Sequence, residues 1–131
     1  MMIVDMDVRC HLYGEKFSAK KVEELTGLTL DNKMEIGDIA TMGKYKGTPT
    51  PYGNGELLPP NKYKQRDDFG LEWISLIMKE NISVFRNCGA ENIDLVIGVF
   101  YEGQCNFTLP SKTLKLIGEM GIELQVSCYE S

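Results

Sequence analysis

Polar and apolar residues alternate strictly through residues 2–13. Met2, Val4, Met6, Val8, Cys10 and Leu12 share one side and Ile3, Asp5, Asp7, Arg9, His11 and Tyr13 the other, which is the period of a half-buried strand. Gly14 breaks the pattern. Ser18 has the chemistry of a helix N-cap, Phe17 before it is placed to meet Val22 as a hydrophobic staple, and Gly27 closes the helix. A second strand is expected over Glu35 to Met42, although Gly37 and Asp38 lower its strand propensity.

Residues 43–66, GKYKGTPTPYGNGELLPPNKYKQR, hold four of the five prolines and four of the thirteen glycines. That composition predicts an irregular basic Gly/Pro/Tyr loop with no regular element inside it. So long an irregular stretch is a functional loop, a partly mobile insertion or a concealed strand. Asp67 and Asp68 then stand at N-cap positions, and Ile74, Ile77, Met78, Ile82 and Phe85 recur at helical spacing up to Gly89. The shared parity of Leu71, Trp73, Ser75 and Ile77 also allows this stretch to begin as a strand.

Period two returns at Ile93, Leu95, Ile97, Val99 and Tyr101. Glu102-Gly103-Gln104 reads as a tight connection into Cys105, Phe107 and Leu109, a predicted β-hairpin. Pro110 and Ser111 open another helix carrying Leu114, Ile117 and Met120, which Gly121 ends before a last strand with Ile122, Leu124, Val126 and Cys128 inward. The order predicts an α+β fold. It is a two-layer sandwich in which a mostly antiparallel sheet of roughly four to six strands has about three helices packed on one face and the other face open. Residues 1–131 read as a single domain, without repeat or linker.

Composition supports that reading. The chain has 131 residues, 43% hydrophobic, 25% charged and 9% aromatic, enough to bury roughly two-thirds of its unfolded surface. No apolar run approaches the ~18 residues of a membrane span, and the first residues lack a signal-peptide core, so no membrane partner and a cytoplasmic location are expected. Lys plus Arg number 14 against 19 Asp plus Glu, a net charge of −5, which disfavours general nucleic-acid binding. Within residues 43–66, however, Lys44, Lys46, Lys62, Lys64 and Arg66 face only Glu56.

His11 is the only histidine, which excludes multi-histidine metal centres. Cys10, Cys88, Cys105 and Cys128 form no C-x-x-C pair, so zinc-ribbon and thioredoxin-like readings fail; reduced thiols packed in the core are expected. On the first strand, Asp5 and Asp7 stand about 7 Å apart. They could share a divalent ion, with His11 as base and Arg9 as anion clamp, an inventory like that of a metal-dependent hydrolase. The same row is also what the solvent face of an amphipathic strand normally carries. Asp68-Phe69-Gly70 spells the kinase magnesium tripeptide, but no other kinase motif accompanies it, and no P-loop spacing occurs. The sequons Asn81-Ile82-Ser83 and Asn106-Phe107-Thr108 carry no meaning in a chain that is not exported. Tyr45, Tyr52 and Tyr63 interleave with Lys44, Lys46, Lys62 and Lys64, a vocabulary shared by stacking surfaces and protein-binding hot spots. Trp73, the lone tryptophan, reads as a core anchor.

The runs from Phe17 to Gly27, Ile36 to Asp38, Tyr101 to Leu109 (Y-E-G-Q-C-N-F-x-L) and Ser127 to Glu130 (S-C-Y-E) resemble a family of small bacterial proteins catalogued as domain of unknown function 4279. The resemblance covers the first and last thirds of the chain. It implies a cytosolic α+β domain and brings no catalytic residues.

The expectation is therefore a non-enzymatic protein-binding module, a bacterial immunity protein that neutralises a toxin by stoichiometric contact. No catalytic residue, cofactor or metal is expected. An acidic body complements a cationic nuclease toxin and speeds association by steering. Its candidate contacts are Asp5 and Asp7 on the open sheet face, or Lys44, Tyr45, Lys46, Tyr52, Tyr63 and Lys64 in the loop. The alternatives are a metal-dependent hydrolase using Asp5, Asp7 and His11, and a small-ligand or nucleotide module using residues 43–66. The sequence sets no oligomeric state.

Overall fold

A computed structural model describes residues 2–130. In chain order the elements are β1 (Met2–Gly14), α1 (Ala19–Thr26), β2 (Asp31–Met34), β3 (Gly53–Leu57), α2 (Asn61–Lys64), α3 (Leu71–Asn87), β4 (Asn92–Glu102), α4 (Ser111–Met120) and β5 (Glu123–Glu130). The fold is α+β. Its mostly antiparallel five-stranded sheet runs β2-β3-β1-β4-β5, leaving β2 and β5 at the edges.

The chain forms two compact units, each assembled from separate segments. Among the described residues the first comprises 2–10, 58–80 and 94–130, the second 11–57 and 81–93. In the first, Val8, Cys10, Leu71, Ile74, Met78, Leu95, Ile97, Val99, Ile117 and Met120 are buried. The alternation of β1 and β4 and the apolar stripes of α3 and α4 supply them, as period two and period 3.6 dictate. In the second, Leu12, Phe17, Val22, Leu30, Leu57 and Phe85 are the large fully buried side chains.

Helix ends follow the sequence closely. Ser18 Oγ accepts the Lys21 backbone N–H at 3.2 Å, and Gly27 closes α1 at φ 74°. Asp68 caps α3 with both oxygens, accepting from Gly70 N at 3.0 Å and Glu72 N at 2.8 Å. The Asp-Phe-Gly tripeptide is thus a helix entry, not a magnesium loop.

Three expectations fail. Residues 43–66 contain β3 and the short α2, so the irregular loop concealed a strand. The two glycines of β3 are there for close approach: a Cβ on Gly53 would run into the Phe17 carbonyl oxygen, and one on Gly55 would lie 3.0 Å from Leu30 Cδ1. The strand expected over residues 35–42 shrinks to a turn, in which Asp38 N donates to Glu35 O at 3.0 Å and Gly37 takes φ 91°, followed by an isolated antiparallel bridge between Ile39 and Pro49. β2 lies earlier, on the polar run Asp31–Met34, antiparallel to β3 with a register slip beside Asn32, whose φ is 48°. The predicted hairpin is absent as well. Residues 105–109 form no strand, and β4 pairs in parallel with β5, Val99 opposite Cys128 and Phe100 opposite Tyr129. Parallel neighbours need a crossover of a dozen or more residues, which α4 and its flanks provide.

Candidate binding surface

Along the polar side of β1, Asp5, Asp7, Arg9 and His11 each meet a partner. Asp7 receives Arg9 in a bidentate pair, Nε to Oδ1 and Nη2 to Oδ2, both at 2.7 Å. Asp5 is exposed, and its Oδ1 accepts the Met6 N–H at 2.9 Å. His11 Nε2 stands 2.5 Å from Glu56 Oε2, and Glu56 Oε1 takes the Asn32 amide. Asp7, Arg9 and His11 of the hydrolase row are thus engaged by neighbouring side chains while Asp5 is exposed, and among the described residues no group of three or more His, Cys, Asp or Glu is arranged to hold a metal.

The first unit presents an aromatic pair on the open side of its strands. Leu95, Ile97 and Val99 of β4 point inward, so Phe100 has the opposite parity. Its ring stacks on Tyr129 of β5, centroids 5.1 Å apart and planes 19° from parallel, yet Phe100 is 39% exposed and Tyr129 53%. Gly98, within the same strand, keeps the floor beside them low: a Cβ there would sit 3.8 Å from both Asp7 Cβ and Phe100 Cε2. This unit also holds most of the excess charge, with seven basic and eleven acidic side chains against seven and eight in the second.

The basic segment divides. In the second unit Tyr52 packs between Tyr13, at 4.7 Å, and Tyr45, at 5.9 Å, with the Lys44 ammonium 5.5 Å from the Tyr45 ring centre. Lys46 is exposed beside them in sequence. This segment is hydrogen-bonded within itself, with Gly37 N to Thr50 O at 2.9 Å and Ala40 N to Thr48 O at 3.0 Å. Tyr63 belongs to the first unit. There it packs 5.6 Å from Trp73, with Arg66 at 4.6 Å and Lys62 at 5.1 Å from its ring centre, while Lys64 is exposed. These cations sit where the ring quadrupole attracts them. Tyr63, Arg66 and Trp73 line a cleft of about 710 Å³ together with Asp67, Asp68 and Glu72. Trp73 is therefore a cleft wall rather than a fully enclosed anchor.

Cysteine packing holds for two of the four. Cys10 and Cys88 are buried, and burial pushes both thiols up, helped at Cys10 by Asp94. Cys105 and Cys128 are not core residues: Cys128 is exposed, Cys105 half-buried, and their sulfurs are 3.8 Å apart. Inward-pointing parity was expected of both. The loss of the hairpin and the edge position of β5 overturn it, and Val126 is likewise 39% exposed.

Phe100, Tyr129, Tyr13 and Arg66 were not singled out as contacts from the sequence. Phe100 carried a readable signal, a large apolar residue on the solvent parity of an alternating strand; Tyr129 needed the register of β5.

Compared with family models, with curated proteins and with solved structures, the chain finds no match in any of the three. Among the described residues, no helix is long and apolar enough to cross a membrane.

Proposed function

We propose that this protein is a non-enzymatic binding module that neutralises a cationic bacterial nuclease toxin by stoichiometric contact, as an immunity protein does. The observation that carries the reading is the solvent-exposed Phe100–Tyr129 stack on the more acidic of the two units. Aromatic side chains supply interface energy at little entropic cost, and an acidic excess on the same unit steers a basic partner and disfavours wrong ones. Asp5 lies exposed in the same unit as a further contact. The pairing of Asp7 with Arg9 and the contact of His11 with Glu56 count against the hydrolase reading. The acids of the Trp73 cleft count against a nucleotide, whose phosphates they would repel.

The test takes the product of a basic nuclease-toxin gene adjoining this one as the probe. A one-to-one complex is expected, with an association rate that falls steeply between low and physiological salt. Replacing Phe100 and Tyr129 by Ser should speed dissociation at least about tenfold, since truncating a central aromatic contact costs more than about 1.4 kcal/mol. Lack of such a neighbour, or a toxin that stays active at equimolar protein, refutes the proposal.

A further inference from the structure

Two of the four cysteines form a pair that no part of the binding reading uses. Cys105 lies in the segment between β4 and α4, and Cys128 lies on the edge strand β5, where it stands opposite Val99 of β4. The Cys105 thiol donates to Cys128 Sγ at 3.8 Å. A disulfide needs about 2.05 Å, so the sulfurs must close by roughly 1.8 Å. Residues 103–109 have no helix or strand to hold them back. We propose that Cys105 and Cys128 are a thiol–disulfide exchange site that takes a small-molecule disulfide of the glutathione class and closes into a reversible intrachain bond.

The asymmetry of the pair sets the order of events. Burial and the hydrogen bond to Cys128 push the Cys105 thiol up, so it retains its proton. Cys128 is the exposed sulfur and attacks first. Its thiolate forms a bond to one sulfur of the small disulfide; that S–S bond breaks, and one thiolate leaves and is protonated. Cys105 then loses its proton and attacks Cys128 Sγ in the mixed disulfide, expelling the second small thiol. Two protein S–H bonds and one small disulfide become one protein disulfide and two small thiols. The protein is oxidised by two electrons and the small disulfide is reduced by the same two. Cys10 and Cys88, both buried, are out of reach of the reagent. The product ties the segment after β4 to the sheet edge.

The test treats the full chain with oxidised glutathione at neutral pH and follows intact mass, with proteolytic mapping of the products. Expected are the loss of two hydrogens, a Cys105–Cys128 cross-linked peptide, and reversal by dithiothreitol. Cys105→Ser should stop at a single glutathionyl adduct on Cys128, and Cys128→Ser should react at least about tenfold more slowly. Wild-type protein that accumulates separate adducts on both cysteines, that cross-links through Cys10 or Cys88, or that keeps both thiols free overturns the proposal. The mapping is done on the wild type, so a variant that fails to fold leaves the test intact.

Discussion

Gly89 and Gly27 both follow helices at positive φ, 97° and 74°, and comparing their alanine variants separates backbone strain from steric exclusion. A Cβ on Gly27 meets nothing within 4 Å. Gly27→Ala therefore costs left-handed strain of about 1–2 kcal/mol, partly offset by about 0.4–1 kcal/mol from a stiffer unfolded chain, or roughly 1 kcal/mol net. A Cβ on Gly89 would instead overlap the Lys16 carbonyl and lie 2.9 Å from Phe17 N. Those are backbone atoms and cannot rotate away. Relief means moving the turn after β1 off the turn after α3, at the expense of the bonds from Ser18 N to Cys88 O, 3.0 Å, and from Glu91 N to Tyr13 O, 2.9 Å. With about 1 kcal/mol lost for each bond and a similar or larger strain term, Gly89→Ala should cost about 3–5 kcal/mol. Urea unfolding checks this. With a slope of about 1.5–2 kcal/mol per molar, the midpoint should fall by about 2 M for Gly89→Ala and by about 0.5 M for Gly27→Ala. Equal shifts with unchanged slopes would refute the claim that the close approach at Gly89 is tight.

Oxidising the Cys105–Cys128 pair closes a loop of 23 residues, and on the chain-entropy account should raise stability by about 3 kcal/mol; denaturant melts with and without a dithiol reductant measure it. Glu23 accepts both Lys33, at 2.8 Å, and the Leu30 N–H, at 2.9 Å, and these hold its carboxyl below the usual range. A depressed folded value means stability that is present above the unfolded value, roughly pH 4.3, and lost as pH falls further toward the folded one. Glu23→Gln should therefore flatten the acid limb of the stability–pH curve while lowering stability at neutral pH, which urea melts from pH 3 to 7 would show.

What was legible in the chain was whatever one element decides alone. The parity of β1, the Ser18 and Asp68 caps and the Gly27, Gly89 and Gly121 stops depend on neighbours a few residues away, and each appears where its chemistry places it. What was hidden depends on contacts distant in sequence. β3 reads as loop because Gly53 and Gly55 have poor strand propensity, and only Phe17 and Leu30 packed against them explain the choice. β2 has no apolar alternation because it is an exposed edge. Cys105, Phe107 and Leu109 mimic a strand by parity, whereas the partner of β4 lies beyond α4. Of the surface residues, Lys44, Tyr45 and Tyr52 lie against one another, whereas Tyr63 packs against Trp73, a partner that the spacing along the chain does not announce.

The acids that terminate β5 also bear on self-association. If two copies lined up their free edges head to tail over residues 123–130, Glu123 of each would meet Glu130 of the other at both ends. Like charges facing across a ladder repel, so the strand that offers unpaired backbone groups is guarded against its own kind. A foreign segment bearing lysine or arginine at those two places would meet no such barrier.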